Sequence, residues 1–96
     1  MNHFNKLTPA QDERLALIFE EAAEVIQAIA KIQRHGYQSG HPDGGPTNRQ
    51  MLEQEIGDLQ QVISIAINAG DLSTLGIACG YNSKALRIGN YLHHQS

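Results

Sequence analysis

The chain has 96 residues, 41% of them apolar and 18% charged, with 10 acids against 7 Lys and Arg and a net charge of −3. This fits one small globular domain, residues 1–96, and excludes a disordered chain or one with a basic field for a nucleic-acid polymer. The lone Cys79 excludes a disulfide framework or a Cys-based zinc site, and the longest apolar run, Leu15 to Phe19, is too short to span a membrane.

The N-terminal string MNHFNKLTPAQDE is polar and lacks the apolar core of a signal peptide, so a soluble, cytoplasmic protein is expected. The first element opens at Thr8, an N-cap residue, with Pro9 suited to the first helical position and Gln11 completing a capping box. Apolar residues then recur at Leu15, Ile18, Ala22, Val25, Ile29 and Ile32, in alternating steps of three and four. Arg34 and His35 complement the helix dipole and Gly36 stops the run, which places helix 1 at about residues 8–35.

Residues 36–47, GYQSGHPDGGPT, hold four Gly and two Pro and read as a long loop of the functional or mobile kind. Thr47 and Gln50 form a second capping box. Leu52, Ile56, Leu59, Ile63 and Ala66 carry helix 2 over about 48–69, to the stop at Gly70. Asp71 can cap a third region, 72–94, where Gly76, Gly80 and Gly89 interrupt a weaker pattern, giving one broken helix or two short ones. No stretch alternates at period two, so no sheet is expected. The fold class is all-α, a helical bundle of three to four helices per chain. Apolar residues outside a two-helix seam (Phe19, Ile26, Val62, Ile65, Ile67) call for completion by oligomerisation. Cys79 reads as a small buried apolar residue.

Wheel angles at 100° per residue sort the acids. With Leu15 at zero, Glu21 and Glu24 fall near ~240° and ~180°, beside Leu17 and Ala28. With Leu52 at zero, Glu55 and Asp58 fall near ~300° and ~240°, among Met51, Val62 and Ile65. Each helix thus carries an i, i+3 pair of acids on the shoulder of its apolar face, and side-by-side packing brings four carboxylates together. Four such charges repel and draw a hard divalent cation that prefers oxygen, Mg²⁺ or Mn²⁺. A di-iron centre is excluded, because no Glu has a His three residues on. Glu20, Gln27, Lys31 and Arg34 fall on the solvated side of helix 1, which puts the two cations away from the acids.

The two acid pairs, Glu21-x-x-Glu24 and Glu55-x-x-Asp58, sit in the strings FEEAAEVIQAIAK and LEQEIGDLQQVI, joined by a Gly-rich loop. In this order the strings resemble the MazG-like all-α nucleoside triphosphate pyrophosphohydrolases, over residues 13–69. The tail YNSKALRIGNYLHHQ resembles the family's basic third helix more loosely. The resemblance implies a helical bundle completed by dimerisation, and the sequence leaves homodimer and homotetramer both open. The resemblance also implies Mg²⁺ on Glu21, Glu24, Glu55 and Asp58, and cleavage of a nucleoside triphosphate to monophosphate and pyrophosphate. Glu20, adjacent to Glu21, is the candidate catalytic base. Lys84 and Arg87, three apart on the last helix and followed by Tyr91, can hold phosphate oxygens. Asn82 joins them through the tail resemblance alone. The alternative is a non-catalytic helical dimerisation module, or a relative that binds nucleotides without hydrolysing them.

Overall fold

The computed structural model describes residues 4–94; the first three residues of the N-terminal string and Gln95 of the tail string lie outside them. Helix α1 spans Pro9–His35, α2 spans Asn48–Asn68 and α3 spans Thr74–Arg87, followed by a short 3₁₀ turn at Ile88–Asn90. No strand occurs among the described residues; one isolated bridge joins Gly40 and Thr47.

The ends of α1 and α2 follow their capping chemistry. The Thr8 hydroxyl accepts from the Gln11 N–H at 3.1 Å, while the Gln11 amide oxygen accepts from the Thr8 N–H at 2.9 Å. Thr47 and Gln50 repeat this reciprocal pair at 3.2 and 2.8 Å. Gly36 ends α1 in the left-handed region, at φ 87°, where a side chain is disfavoured.

The loop between them is ordered by its own backbone. Ser39 and Tyr37 carbonyls accept from the Asn48 and Arg49 N–H groups, at 2.7 and 2.9 Å, so they satisfy first-turn donors of α2. Asn48 donates its side-chain amide to the Gly36 carbonyl, and the Arg49 guanidinium lies over the Tyr37 ring at 5.1 Å. At Gly40 a Cβ would sit 2.9 Å from the Pro46 carbonyl oxygen, so the close strand-like approach here requires glycine.

Helices α1 and α2 pack as an antiparallel hairpin. Ala66 lies in one hollow with Leu15 and Ile18, and Ala28 in another with Met51 and Glu55. Only Ala28 and Ala66 are buried among the described residues, at 8% and 2% exposure. Small side chains at these points let the two helices approach closely. Beyond α2 the chain turns at Gly70, and a bidentate pair fastens the turn: Arg14 Nε and Nη2 donate to the two Asp71 oxygens, the latter bond at 3.0 Å. Asp71 is therefore spent on α1, and the N-cap of α3 is Ser73, whose hydroxyl accepts from the Gly76 N–H at 2.9 Å. This corrects the capping role expected of Asp71.

Helix α3 packs face-to-face with neither α1 nor α2, and every residue from Leu72 to His94 is exposed. Cys79 is among them, so the expected buried cysteine is corrected to an exposed one. The expectation of a buried residue assumed a packed partner for α3, which a single chain does not supply. The radius of gyration is 17.1 Å, against about 12–13 Å for a compact chain of this length. Phe19 on α1 at 77%, and Tyr81 at 77% and Leu86 at 90% on α3, show how much apolar surface the chain leaves open. No helix is long and apolar enough to cross a membrane.

Candidate metal centre

The four acids occupy facing positions near the middle of the hairpin. Their i, i+3 spacing puts each pair on one face, and antiparallel packing sets Glu21 and Glu24 of α1 against Glu55 and Asp58 of α2. One carboxylate oxygen from each of the four lies within 4.8 Å of the others. Glu24 is exposed, while Glu21, Glu55 and Asp58 are partly buried.

Two of the oxygens are orphans. Glu21 Oε2 and Glu55 Oε2 are withdrawn from water and have no hydrogen-bond partner. A carboxylate in that position disfavours its charged form. Accordingly the Glu21 carboxyl titrates above its ordinary range, first because it is desolvated and then because Glu24, Asp58 and Glu20 surround it with negative charge. Glu55 is raised as well, first because a proton on it can be shared with the neighbouring Glu24 carboxylate, then by desolvation and by its acidic neighbours. Asp58 is oriented by Gln54, one turn earlier, whose Nε2 donates to Asp58 Oδ1 at 2.9 Å.

This donor set suits a hard cation. All four donors are carboxylate oxygens that lie close together, and the orphaned oxygens would gain a partner if a cation entered. No Cys or His joins the cluster, which argues against a site built for a softer metal.

A comparison with protein-family models matches residues 10–78 to the MazG nucleotide pyrophosphohydrolase domain. The chain belongs to this MazG family. The matched span contains all but the first residue of α1, the loop, α2 and the first turn of α3, and so holds all four clustered acids. No curated protein and no solved structure gives a match.

The other sequence-derived residues of the MazG domain and its tail fall in different places. Glu20 is exposed and outside the converging set, though its charge reaches Glu21. Asn82, Lys84, Arg87 and Tyr91 are all exposed on α3 and the turn after it. The Lys84 ammonium lies 4.7 Å from the centre of the Tyr91 ring, and Arg87 Nε donates to the Ser83 carbonyl at 3.3 Å. The hollow beside the acids is lined from α1 and α2 alone, so one chain does not bring these four α3-region residues to the cluster.

That hollow contains a residue the sequence reading set aside. Its lining is Glu24, Gln27, Ala28, Lys31, Met51 and Glu55. Lys31 was expected to face away from the acids; it shares the groove with two of them. The signal was present, because Lys31 is seven residues after Glu24 and two full turns return it to nearly the same direction. Gln54 was missed too, although Gln-x-x-x-Asp is an i, i+4 hydrogen-bonding pair.

Proposed function

We propose that the protein is an Mg²⁺-dependent nucleoside triphosphate pyrophosphohydrolase. The α–β anhydride of a nucleoside triphosphate is cleaved, one water is consumed, and a nucleoside monophosphate and pyrophosphate are released. The observation that supports this most is the convergence of Glu21, Glu24, Glu55 and Asp58, two of them with orphaned buried oxygens, in a chain of the MazG family.

Glu21, Glu24, Glu55 and Asp58 would hold the cation, Mg²⁺ or Mn²⁺ by the hardness of the donors. When bound, the metal neutralises phosphate charge and makes water a stronger nucleophile. The chain's own contribution is positional. The α1–α2 hairpin fixes the four carboxylates, and Gln54 holds Asp58 in one orientation. Glu20, next to Glu21 and open to solvent, is the base that takes the proton of the attacking water.

The same reading includes a homodimer or homotetramer. The exposed α3, the open shape and the apolar surface at Phe19, Tyr81 and Leu86 support it. In such an assembly the α3 of a second copy can bring Asn82, Lys84, Arg87 and Tyr91 to the phosphates, which a chain's own α3 does not do.

Two Glu-to-Gln variants on α2 test the reading. Glu55→Gln should abolish Mg²⁺-dependent hydrolysis, and Glu53→Gln, two residues away and exposed, should leave it intact. Equal activity in the two variants would refute the assignment.

A further inference from the structure

We propose that the groove beside the acids is the subsite for the leaving pyrophosphate, and that the Lys31 ammonium is its cation. The inference rests on the four acids being the metal site, and adds which residues of the same chain take the leaving group.

The groove is a real recess, about 270 Å³, between the second half of α1 and the start of α2. Glu24, Gln27, Ala28 and Lys31 supply one wall, at spacings of three, four and seven residues that keep them on one helix face. Met51 and Glu55, four apart on α2, supply the other. One end of the recess is therefore two carboxylates of the cluster, and the far end is a lysine.

Lys31 is the only cation lining this recess. Among the described residues the ion pairs are Arg14–Asp71 and His41–Asp43, so Lys31 is in neither and makes no direct pair with Glu24 or Glu55. None of the other basic groups lines the recess: Arg14 is bound to Asp71, Arg49 lies on Tyr37, Lys84 lies on Tyr91, and Arg34, close to Lys31 in the chain, is outside the lining.

Helical side chains tilt toward the helix N-terminus. Lys31, two turns after Glu24, thus leans back toward the acids along the groove. The Cα atoms of the two residues are about 10 Å apart along the axis. A phosphate chain held by a cation at the carboxylates extends over that distance, and its terminal oxygens come within reach of the ammonium. Gln27 offers an amide N–H₂ part-way along, and Ala28 leaves the space clear. The leaving pyrophosphate gains negative charge as the anhydride breaks, so a cation at this end acts where charge develops.

Calorimetry tests the subsite without turnover. Mg²⁺ is titrated first into wild-type protein, Lys31→Gln and Arg34→Gln; pyrophosphate or a nucleoside monophosphate follows at saturating Mg²⁺. Arg34→Gln removes the same charge less than one turn away, from a residue that does not line the groove. The expected result is Mg²⁺ binding retained in all three, with pyrophosphate affinity reduced roughly 10-fold or more in Lys31→Gln alone, the loss of one charge-assisted hydrogen bond. Monophosphate affinity should not change, and Lys31→Arg should recover part of the pyrophosphate affinity. Equal effects of Lys31→Gln and Arg34→Gln, an equal loss for the monophosphate, or wild-type protein that binds Mg²⁺ but not pyrophosphate would each overturn the subsite while leaving the metal site standing. Wild-type protein that binds no Mg²⁺ would overturn both.

Discussion

Glu21 on α1 and Glu55 on α2 each turn one carboxylate oxygen out of water, across the same helix–helix seam, with no donor to meet it. Surface acids avoid that arrangement by rotating into solvent. Here the antiparallel hairpin holds both, and each carboxyl titrates above its ordinary range. The hairpin carries a local electrostatic cost that a bound cation would relieve.

Removing one of these charges separates stability from activity. Glu55→Gln keeps the size of the side chain and gives Glu24 a hydrogen-bond donor. Thermal stability without metal should hold or rise. On the proposed function turnover should fall by at least ~10²-fold, because a metal held by these acids would supply several kcal/mol to the transition state. Glu53→Gln should change neither quantity. Melting curves and initial rates on the two variants check this.

The acid cluster also contributes to the pH dependence of stability. Glu21 and Glu55 titrate higher in the folded chain than the roughly 4.3 of an unfolded glutamate. Between those values the folded chain binds more protons than the unfolded one, so stability falls as pH rises through that window. Their contribution is fully present below the unfolded value and lost above the folded ones. Saturating Mg²⁺ should flatten this fall, since the cation replaces the protons. Melting temperatures measured across the window, with chelator and with Mg²⁺, give the comparison.

Arg14 and Asp71 should show the opposite sign. Asp71 is held below its ordinary range, first by its hydrogen bonds from Arg14. Its contribution is present above the unfolded value of about 3.9 and is lost as pH falls through the lowered one. Asp71→Asn should therefore lower the melting temperature at neutral pH and shrink the difference from wild type in acid. Arg14→Lys should lower it too, because lysine lacks the planar fork that meets both oxygens. Mg²⁺ affinity should be unchanged in both, since the pair lies two turns along α1 from Glu21. Thermal melts and Mg²⁺ titrations of the same samples decide this.

Much of this was readable from the chain. The capping boxes at Thr8–Gln11 and Thr47–Gln50 placed α1 and α2 because each is a local, reciprocal hydrogen-bond pair. The spacing of Glu21, Glu24, Glu55 and Asp58 foretold their convergence because two amphipathic helices joined by a loop have one way to bury their stripes. The surroundings of α3 were not readable. Cys79 and Asp71 depend on which surface α3 meets and which residue reaches across the turn, and neither follows from local periodicity. Lys31 was mis-sorted for another reason: about 20° on the wheel separates it from Glu24, less than the spread of real side chains. A sharp line between polar and shoulder sectors put the two on opposite sides.

The exposed apolar face of α3 gives a further expectation. Leu86→Glu should reduce the molecular mass in light scattering toward that of the 10.5 kDa chain. Helicity should be largely retained, because Leu86 touches no packed face of its own chain. If wild-type protein is already a monomer at micromolar concentration, the assembly proposed here is wrong.

Gly57 lies inside α2 beside Asp58, and a Cβ there meets nothing within 4 Å. Gly57→Ala should raise stability by roughly 0.5–1 kcal/mol, the backbone entropy that glycine loses in a helix interior. Denaturant unfolding measures it. A destabilisation would mean that something outside the single chain approaches this position.

The most direct test of the account is the identity of the products. A nucleoside triphosphate incubated with the protein and Mg²⁺, and followed by phosphorus NMR, should yield the monophosphate and pyrophosphate in equal amounts, with no reaction when the metal is chelated. Release of orthophosphate and a diphosphate, or no turnover across a panel of ribo- and deoxynucleotides, would contradict it.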